Sequence, residues 1–246
     1  MTTRPRTAML LAAGLGRRMR PLTENTAKPL LTLGGKALID HALDRLSEAG
    51  VETVVVNAFW HADQVAARLA ARAATRQPPH TIFRREAALL DTGGGTRAAL
   101  DLLGSDPFYV VNGDAFWLNG TRPALLRLAD AFDAMVDGVL LVHRTFQVHA
   151  DVGFGDFAVD KWGELRRREE REVAPYIYAG VQLIAPALLD DMPEGAFSTN
   201  RAWDRAMAAG RLRAVVHDGL WFHLSTPSDL GDAETMLHAS LTGETR

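Results

Sequence analysis

The feature that most constrains this chain is how its first apolar run ends. Thr7–Ala13 is apolar throughout after its threonine and stops on Gly14-Leu15-Gly16-Arg17-Arg18. Such a run reads as a parallel strand buried on both faces, and an open parallel sheet binds its ligands beyond the carboxyl ends of its strands. The pattern then repeats. Leu38, Ile39, Ala42, Leu43, Leu46 and Ala49 recur at helical spacing and stop at Gly50, before the β-branched Thr53–Val56. The spacing further predicts a helix over Asp63–Ala74, a strand over His80–Arg84, a helix over Thr96–Leu103 and a strand over Pro107–Val111, which leads into Asn112-Gly113-Asp114. This alternation predicts an α/β fold, a Rossmann-like and mostly parallel sheet with helices on both faces. Gly14–Lys28 and Asp114 both follow strand ends, so the two segments are expected to meet.

The second half is less regular. Gly138–His143, Val152–Val159 and Tyr178–Ile184 are strand candidates, and Thr226-Pro227 caps a last helix reaching about Ser240. With 246 residues and no linker, one domain is expected, with residues about 7–135 forming one half and about 136–246 the other. The absence of cysteine removes disulfides, thiolate metal sites and a thiol nucleophile. A formal charge of −3 and the lack of a long basic block speak against a nucleic-acid partner, because Arg166-Arg167-Arg168 is answered at once by Glu169-Glu170-Arg171-Glu172. Ala8–Ala13 is too short for a membrane span or a signal segment. A cytoplasmic protein with no membrane partner is expected, and the oligomeric state is left open.

Small residues at Ala12-Ala13-Gly14-Leu15-Gly16 allow a backbone to approach a ligand, and Arg17 and Arg18 suit phosphate oxygens. Two common phosphate loops fail on spacing. A dinucleotide fingerprint needs glycine at position 19, which is Met, and a P-loop needs Gly-Lys-Ser/Thr, whereas Gly35-Lys36 precedes Ala37. The longer string Gly14-Leu15-Gly16-Arg17-Arg18-Met19-Arg20-Pro21-Leu22-Thr23, followed by Lys28-Pro29-Leu30-Leu31, resembles the signature of the sugar-nucleotide pyrophosphorylases. It departs at Arg17, usually Thr, and at Ala27, usually Pro. The resemblance extends through Leu90-Asp91-Thr92-Gly93-Gly94-Gly95 and Val110-Val111-Asn112-Gly113-Asp114 to Trp221-Phe222-His223-Leu224-Ser225-Thr226-Pro227, where His223 and Ser225 stand in the family's Asp and Gly positions.

The resemblance implies a GT-A-like nucleotidyltransferase fold with a smaller sugar-binding subregion in the second half. It implies transfer of a nucleotidyl group from a nucleoside triphosphate to a sugar 1-phosphate with release of pyrophosphate. It also implies roles for residues. Arg18 would hold the departing phosphates, Lys28 would sit near the α-phosphate, and Asp114 would hold Mg²⁺, with Mn²⁺ as the alternative ion. Ala12, Ala13, Gly14, Gly16, Arg17, Glu86, Gly93 and Asn112 would line the nucleotide site. His223, in the second metal-binding position, would ligate a softer ion or donate to a phosphate.

A carboxylate such as Glu86 only accepts hydrogen bonds, which suits the N3–H of uracil or the two neighbouring donors of guanine. For the sugar, Gly153 resembles the family's glycine of close approach, and Trp203 with Asp204 could line the pocket. The family's downstream Glu-Lys pair is missing, with Glu169 and Glu170 the nearest residues. Within the family the pattern looks most like the N-acetylmuramate 1-phosphate uridylyltransferases of peptidoglycan recycling, using UTP, and next like mannose 1-phosphate guanylyltransferases, using GTP. Arg144, Arg166 and Arg168 are candidate donors to a lactyl carboxylate. A protein that binds nucleotide sugars without turnover is the alternative of another class.

Overall fold

The computed structural model describes residues 4–148 and 150–242. In chain order its elements are β1 (Thr7–Leu11), β2 (Thr32–Leu33), β3 (Lys36–Ala37), α1 (Leu38–Glu48), β4 (Thr53–Ala58), α2 (Ala62–Ala74), β5 (His80–Arg85), α3 (Asp91–Ala98), α4 (Leu100–Leu103), β6 (Phe108–Asn112), β7 (Phe116–Leu118), α5 (Ala124–Ala131), β8 (Gly138–Arg144), β9 (Phe157–Val159), β10 (Leu165–Arg167), β11 (Tyr176–Ile184), α6 (Asn200–Ala208), β12 (Leu212–Val216), β13 (Leu220–Phe222) and α7 (Pro227–Thr242).

Nine strands form one mixed sheet along the path β10-β9-β11-β6-β1-β4-β5, with β8 paired to β11 and β12 to β8. Strands β6, β1, β4 and β5 are mutually parallel, β1, β4 and β6 with the apolar runs of strands buried on both faces and β5, His80-Thr81-Ile82-Phe83-Arg84-Arg85, as the more polar edge. The antiparallel β11 joins this part to the second half by pairing with β6, β8 and β9. Alternate side chains of each strand enter opposite faces. Ala8, Leu10, Val54 and Val56 pack with α1, α2 and α5, while Met9, Val55 and Val110 pack with α4 and α6. Helices therefore cover both faces. A third apolar cluster joins Leu33, Leu38, Phe116, Phe222, Leu224 and Leu237, so that α7 packs on the β2–β3 hairpin and the β7–β13 ribbon.

Two predicted elements change. The strand expected over Val152–Val159 shrinks to Phe157–Val159, because Gly153 and Gly155 adopt φ of 65° and 74° and turn the chain beforehand. The helix expected from Thr96 begins at Asp91 and runs through Gly93-Gly94-Gly95. Low helix propensity hid it in the sequence, but contact demands the glycines. A Cβ on Gly94 would lie 2.2 Å from the carbonyl oxygen of Gly195, and one on Gly93 would lie 2.3 Å from the ring of Phe197. Among the described helices, none is long and apolar enough to cross a membrane.

Candidate active site

The carboxyl ends of β1, β4 and β6 open into a cleft of about 460 Å³ whose walls include Ala12, Ala13, Gly14, Lys28, Asn112 and Asp114. Tight packing shapes its floor. Gly113 donates its N–H to the Leu11 carbonyl at 2.8 Å, and a Cβ there would sit 2.7 Å from the same oxygen. Only glycine lets the turn before Asp114 lie against β1. Gly14 has nothing within 4 Å of a built Cβ, so its face is open to the cleft. The N–H groups of Gly14, Leu15 and Gly16 make no hydrogen bond to the described chain, a row of donors suited to anionic oxygens.

Gly16, at φ 59°, turns the chain into a short helical turn over Arg17–Met19, leaving Arg17 and Arg18 exposed and without an ion-pair partner among the described residues. The loop is braced from outside. Thr23 Oγ1 donates to the Gly16 carbonyl at 2.8 Å, Trp60 Nε1 to the Thr23 carbonyl at 3.1 Å, and Gln64 bonds both Ala27 N–H and the Asn25 carbonyl. Lys28 then reaches across and pairs with Asp114, Nζ to Oδ2 at 2.5 Å, its side chain 13% exposed. His223 is brought alongside by register. Phe116 pairs with Phe222 in the β7–β13 ribbon, so the residues flanking that pair, Asp114 before it and His223 after it, emerge at the same end. Burial holds the His223 imidazole below its usual pKa. The charges of Arg18 and Lys28 push in the same direction, and Asp229 and Asp114 oppose them. Of the four sequence-predicted groups, Lys28 and Asp114 line the cleft, while Arg18 and His223 stand outside its lining, His223 on a small neighbouring cavity with Asp229.

Glu86, expected to accept from the base, does not line the cleft. It is 8% exposed, and both its oxygens are engaged. Oε1 accepts from Asn57 Nδ2 at 2.7 Å and Oε2 from the Leu90 N–H at 3.2 Å. Asn57 lines the cleft, and its Oδ1 accepts the Ala12 N–H at 2.8 Å. The Ala12 N–H is therefore used within the protein. Gly93 is likewise committed elsewhere, its N–H bonded to the Phe197 carbonyl at 2.9 Å. Sequence reasoning missed Asn57, although a polar residue closing Val54-Val55-Val56 beside β1 obeys the same strand-end rule as Asp114.

The family described as the MobA-like NTP transferase domain matches residues 8–173. This chain belongs to that family. It is 41% identical to an N-acetylmuramate alpha-1-phosphate uridylyltransferase of Caulobacter vibrioides, over 96% of this chain and 99% of the relative. It is 32% identical to the protein of the same description from Neisseria meningitidis serogroup B, over 94% and 98%. The fold matches the inositol-1-phosphate CTP transferase of T. maritima with a TM-score of 0.77 at 18% identity, covering 96% and 97% of the two chains. The curated relatives are sugar 1-phosphate nucleotidyltransferases, and the sheet described above is the nucleotidyltransferase fold.

In this MobA-like transferase a second cavity, of about 240 Å³, shares Leu11, Asp91, Thr92 and Asn112 with the first. Trp203 lines it and is also core, 6% exposed, with Nε1 donating to Gln182 Oε1 at 2.8 Å. Gly153 stands on an exposed loop with nothing near a built Cβ, whereas Gly155 makes the close approach, its Cβ position 2.3 Å from the Ala174 carbonyl oxygen. Arg166 is taken by Glu172, whose carboxyl is pulled down to about 2 chiefly by that hydrogen bond. Arg168 bonds the carbonyls of Glu169, Glu170 and Glu172 and stacks on Phe154. The arginine that does line the cavity is Arg167.

Proposed function

We propose that this chain transfers a uridylyl group from UTP to N-acetylmuramate 1-phosphate, giving UDP-N-acetylmuramate and pyrophosphate, in the cytoplasmic recycling of cell-wall sugars. The observation that carries this reading is the 41% identity to the Caulobacter uridylyltransferase across nearly the whole of both chains. The geometry supports it. Two joined cavities, one beyond β1 and β6 and one beside α6, meet at Asn112, as a nucleotide and a sugar phosphate joined at phosphorus would need.

A phosphate oxygen of the sugar attacks the α-phosphorus, the bond from that phosphorus to the β-phosphate oxygen breaks, and pyrophosphate leaves. The attacking oxygen is anionic at neutral pH, so the protein has to supply alignment and positive charge and no general base. Lys28 lines the first cavity beside Asp114 and neutralises the α-phosphate. Arg17, Arg18 and the free N–H groups of the loop receive the β and γ phosphates. Glu86 acts on the base side by fixing the Asn57 amide, and the backbone beyond Ala12 and Asn57 reads the base edge.

Asp114 fits a divalent ion through donor chemistry. Its carboxylate is 36% exposed, already holds a cation, and no cluster of three His, Asp or Glu exists among the described residues. One carboxylate with substrate phosphate oxygens is a donor set for Mg²⁺, with Mn²⁺ the next fit, and the ion would screen the phosphates. His223 serves a phosphate as donor, since imidazole suits Mg²⁺ poorly.

Release of pyrophosphate from each of the four triphosphates with N-acetylmuramate 1-phosphate, N-acetylglucosamine 1-phosphate and mannose 1-phosphate tests the reading. Turnover with UTP and N-acetylmuramate 1-phosphate is expected. The mannose-1-phosphate guanylyltransferase beta subunit of Drosophila melanogaster is 26% identical over 90% of this chain and 60% of its own length, and preference for GTP with mannose 1-phosphate would establish that activity instead. Tight binding of UDP-sugar with no pyrophosphate from any pair would establish a binding protein.

A further inference from the structure

We propose that Arg167 reads an acid group carried by the sugar, so that the second cavity selects a sugar 1-phosphate with a carboxylate arm over its neutral parent; this rests on the activity proposed above. Arg167 ends β10, and its guanidinium is set by two bonds at 2.8 Å, Nε to Asp204 Oδ1 and Nη2 to Asn200 Oδ1. It also lies 4.7 Å from the Phe157 ring centroid and 5.8 Å from that of Trp203. Four contacts fix the plane, while Nη1 has no hydrogen bond in the described chain. Its one ion-pair partner, Asp204, is 58% exposed and so is screened by water. The result is an oriented cation with an unused donor on the cavity wall, placed to meet a carboxylate oxygen.

The remaining lining is complementary to the rest of such a sugar. Asp91 and Asp156 each accept one backbone N–H, from Thr92 at 2.6 Å and Tyr178 at 2.9 Å, which leaves further acceptor positions for hydroxyl and acetamido protons. The hydroxyls of Tyr178 and Thr199, two buried groups of residues in the same lining, have no hydrogen-bond partner among the described residues. Burial, with the charge of Asp114 adding to it, drives the Tyr178 phenol well above its usual pKa, so it stays a donor. A neutral hexosamine would satisfy the acceptors and leave Arg167 unmatched. A hexosamine with an acid arm matches both, and N-acetylmuramate differs from N-acetylglucosamine by one lactyl ether.

The test compares kcat/KM with UTP for N-acetylmuramate 1-phosphate, its lactyl methyl ester and N-acetylglucosamine 1-phosphate. The parent protein is expected to favour the acid over the ester by about tenfold, the scale of one charge-assisted hydrogen bond. In Arg167→Gln that ratio should collapse toward one, and Arg167→Lys should keep part of it, since it retains charge without the planar fork. Thermal melting of each variant separates a lost fold from lost selectivity, and the acid-to-ester ratio of the parent needs no variant. Equal use of acid and ester by the parent, or an unchanged ratio in a folded Arg167→Gln, overturns the role of Arg167. Absence of turnover with N-acetylmuramate 1-phosphate overturns instead the activity on which the proposal rests.

Discussion

Lys28 and Asp114 are paired in the free protein at 2.5 Å, so each neutralises the other, and on the proposed reading an arriving phosphate would claim the lysine. Removing the charge at Lys28 then affects substrate more than fold. Lys28→Met should lower kcat/KM by about 100-fold or more, the scale of losing one cationic contact to a transferring phosphoryl group. Lys36 pairs with Asp44 on the flank of α1, both 37% exposed. Lys36→Met should leave turnover near normal and cost at most about 1 kcal/mol in a urea titration, as exposed pairs do. Equal kinetic losses would remove Lys28 from the phosphate site. Glu86→Gln turns one of two buried acceptors into a donor facing the Asn57 amide or the Leu90 N–H. It should cost about 1–3 kcal/mol of stability and raise the KM for UTP, as read by denaturation and initial rates. Full stability in that variant would mean that Asn57 does not depend on Glu86 for its orientation.

Glycines separate two kinds of element. Gly94 lies in α3 against the Gly195 carbonyl, and Gly94→Ala should destabilise by about 1–3 kcal/mol or more through overpacking, whereas Gly14→Ala meets open space and should melt like the parent while binding UTP more weakly. Thermal melts beside nucleotide titrations would show the contrast, and its reversal would misplace the cleft. The same contrast explains what was legible beforehand. The parallel strands β1, β4 and β6 announce themselves because each is a local apolar run ended by a turn. Gly14–Lys28 and Asp114 were legible because their types and spacing are local as well. Helix α3 was hidden by glycines whose reason is a carbonyl about a hundred residues away in sequence. Asn57, Gln64 and Arg167 matter through partners such as Ala12, Ala27 and Asn200, and no period in the sequence records such pairings.

Across the whole molecule, pH should act first through buried imidazoles. His143 and His217 lie 5.9 Å apart between ring centroids at the junction of β8, β12 and the β7–β13 ribbon, and burial lowers the pKa of both. The unfolded chain therefore binds protons near pH 6.5 that the folded chain refuses, so their contribution is fully present above about pH 6.5 and is lost as pH falls below it. Carboxylates held low by partners, Asp44 and Glu172 among them, weaken the fold only in a second window below about pH 4.5. Urea midpoints from pH 8 to pH 3 should fall in these two stages, and a flat profile down to pH 5 would contradict the buried neutral histidines. The packing of α7 on the β2–β3 hairpin, with Gly34 N–H bonded to Glu234 Oε2 at 2.6 Å, has a consequence in time. A ribosome delivers the loop bearing Lys28 early and the helix that buttresses the adjoining hairpin some two hundred residues later. The loop itself is braced by Thr23, Trp60 and Gln64 as soon as the first sixty-four residues are out, whereas the β2–β3 hairpin that follows Lys28 waits uncovered until α7 emerges.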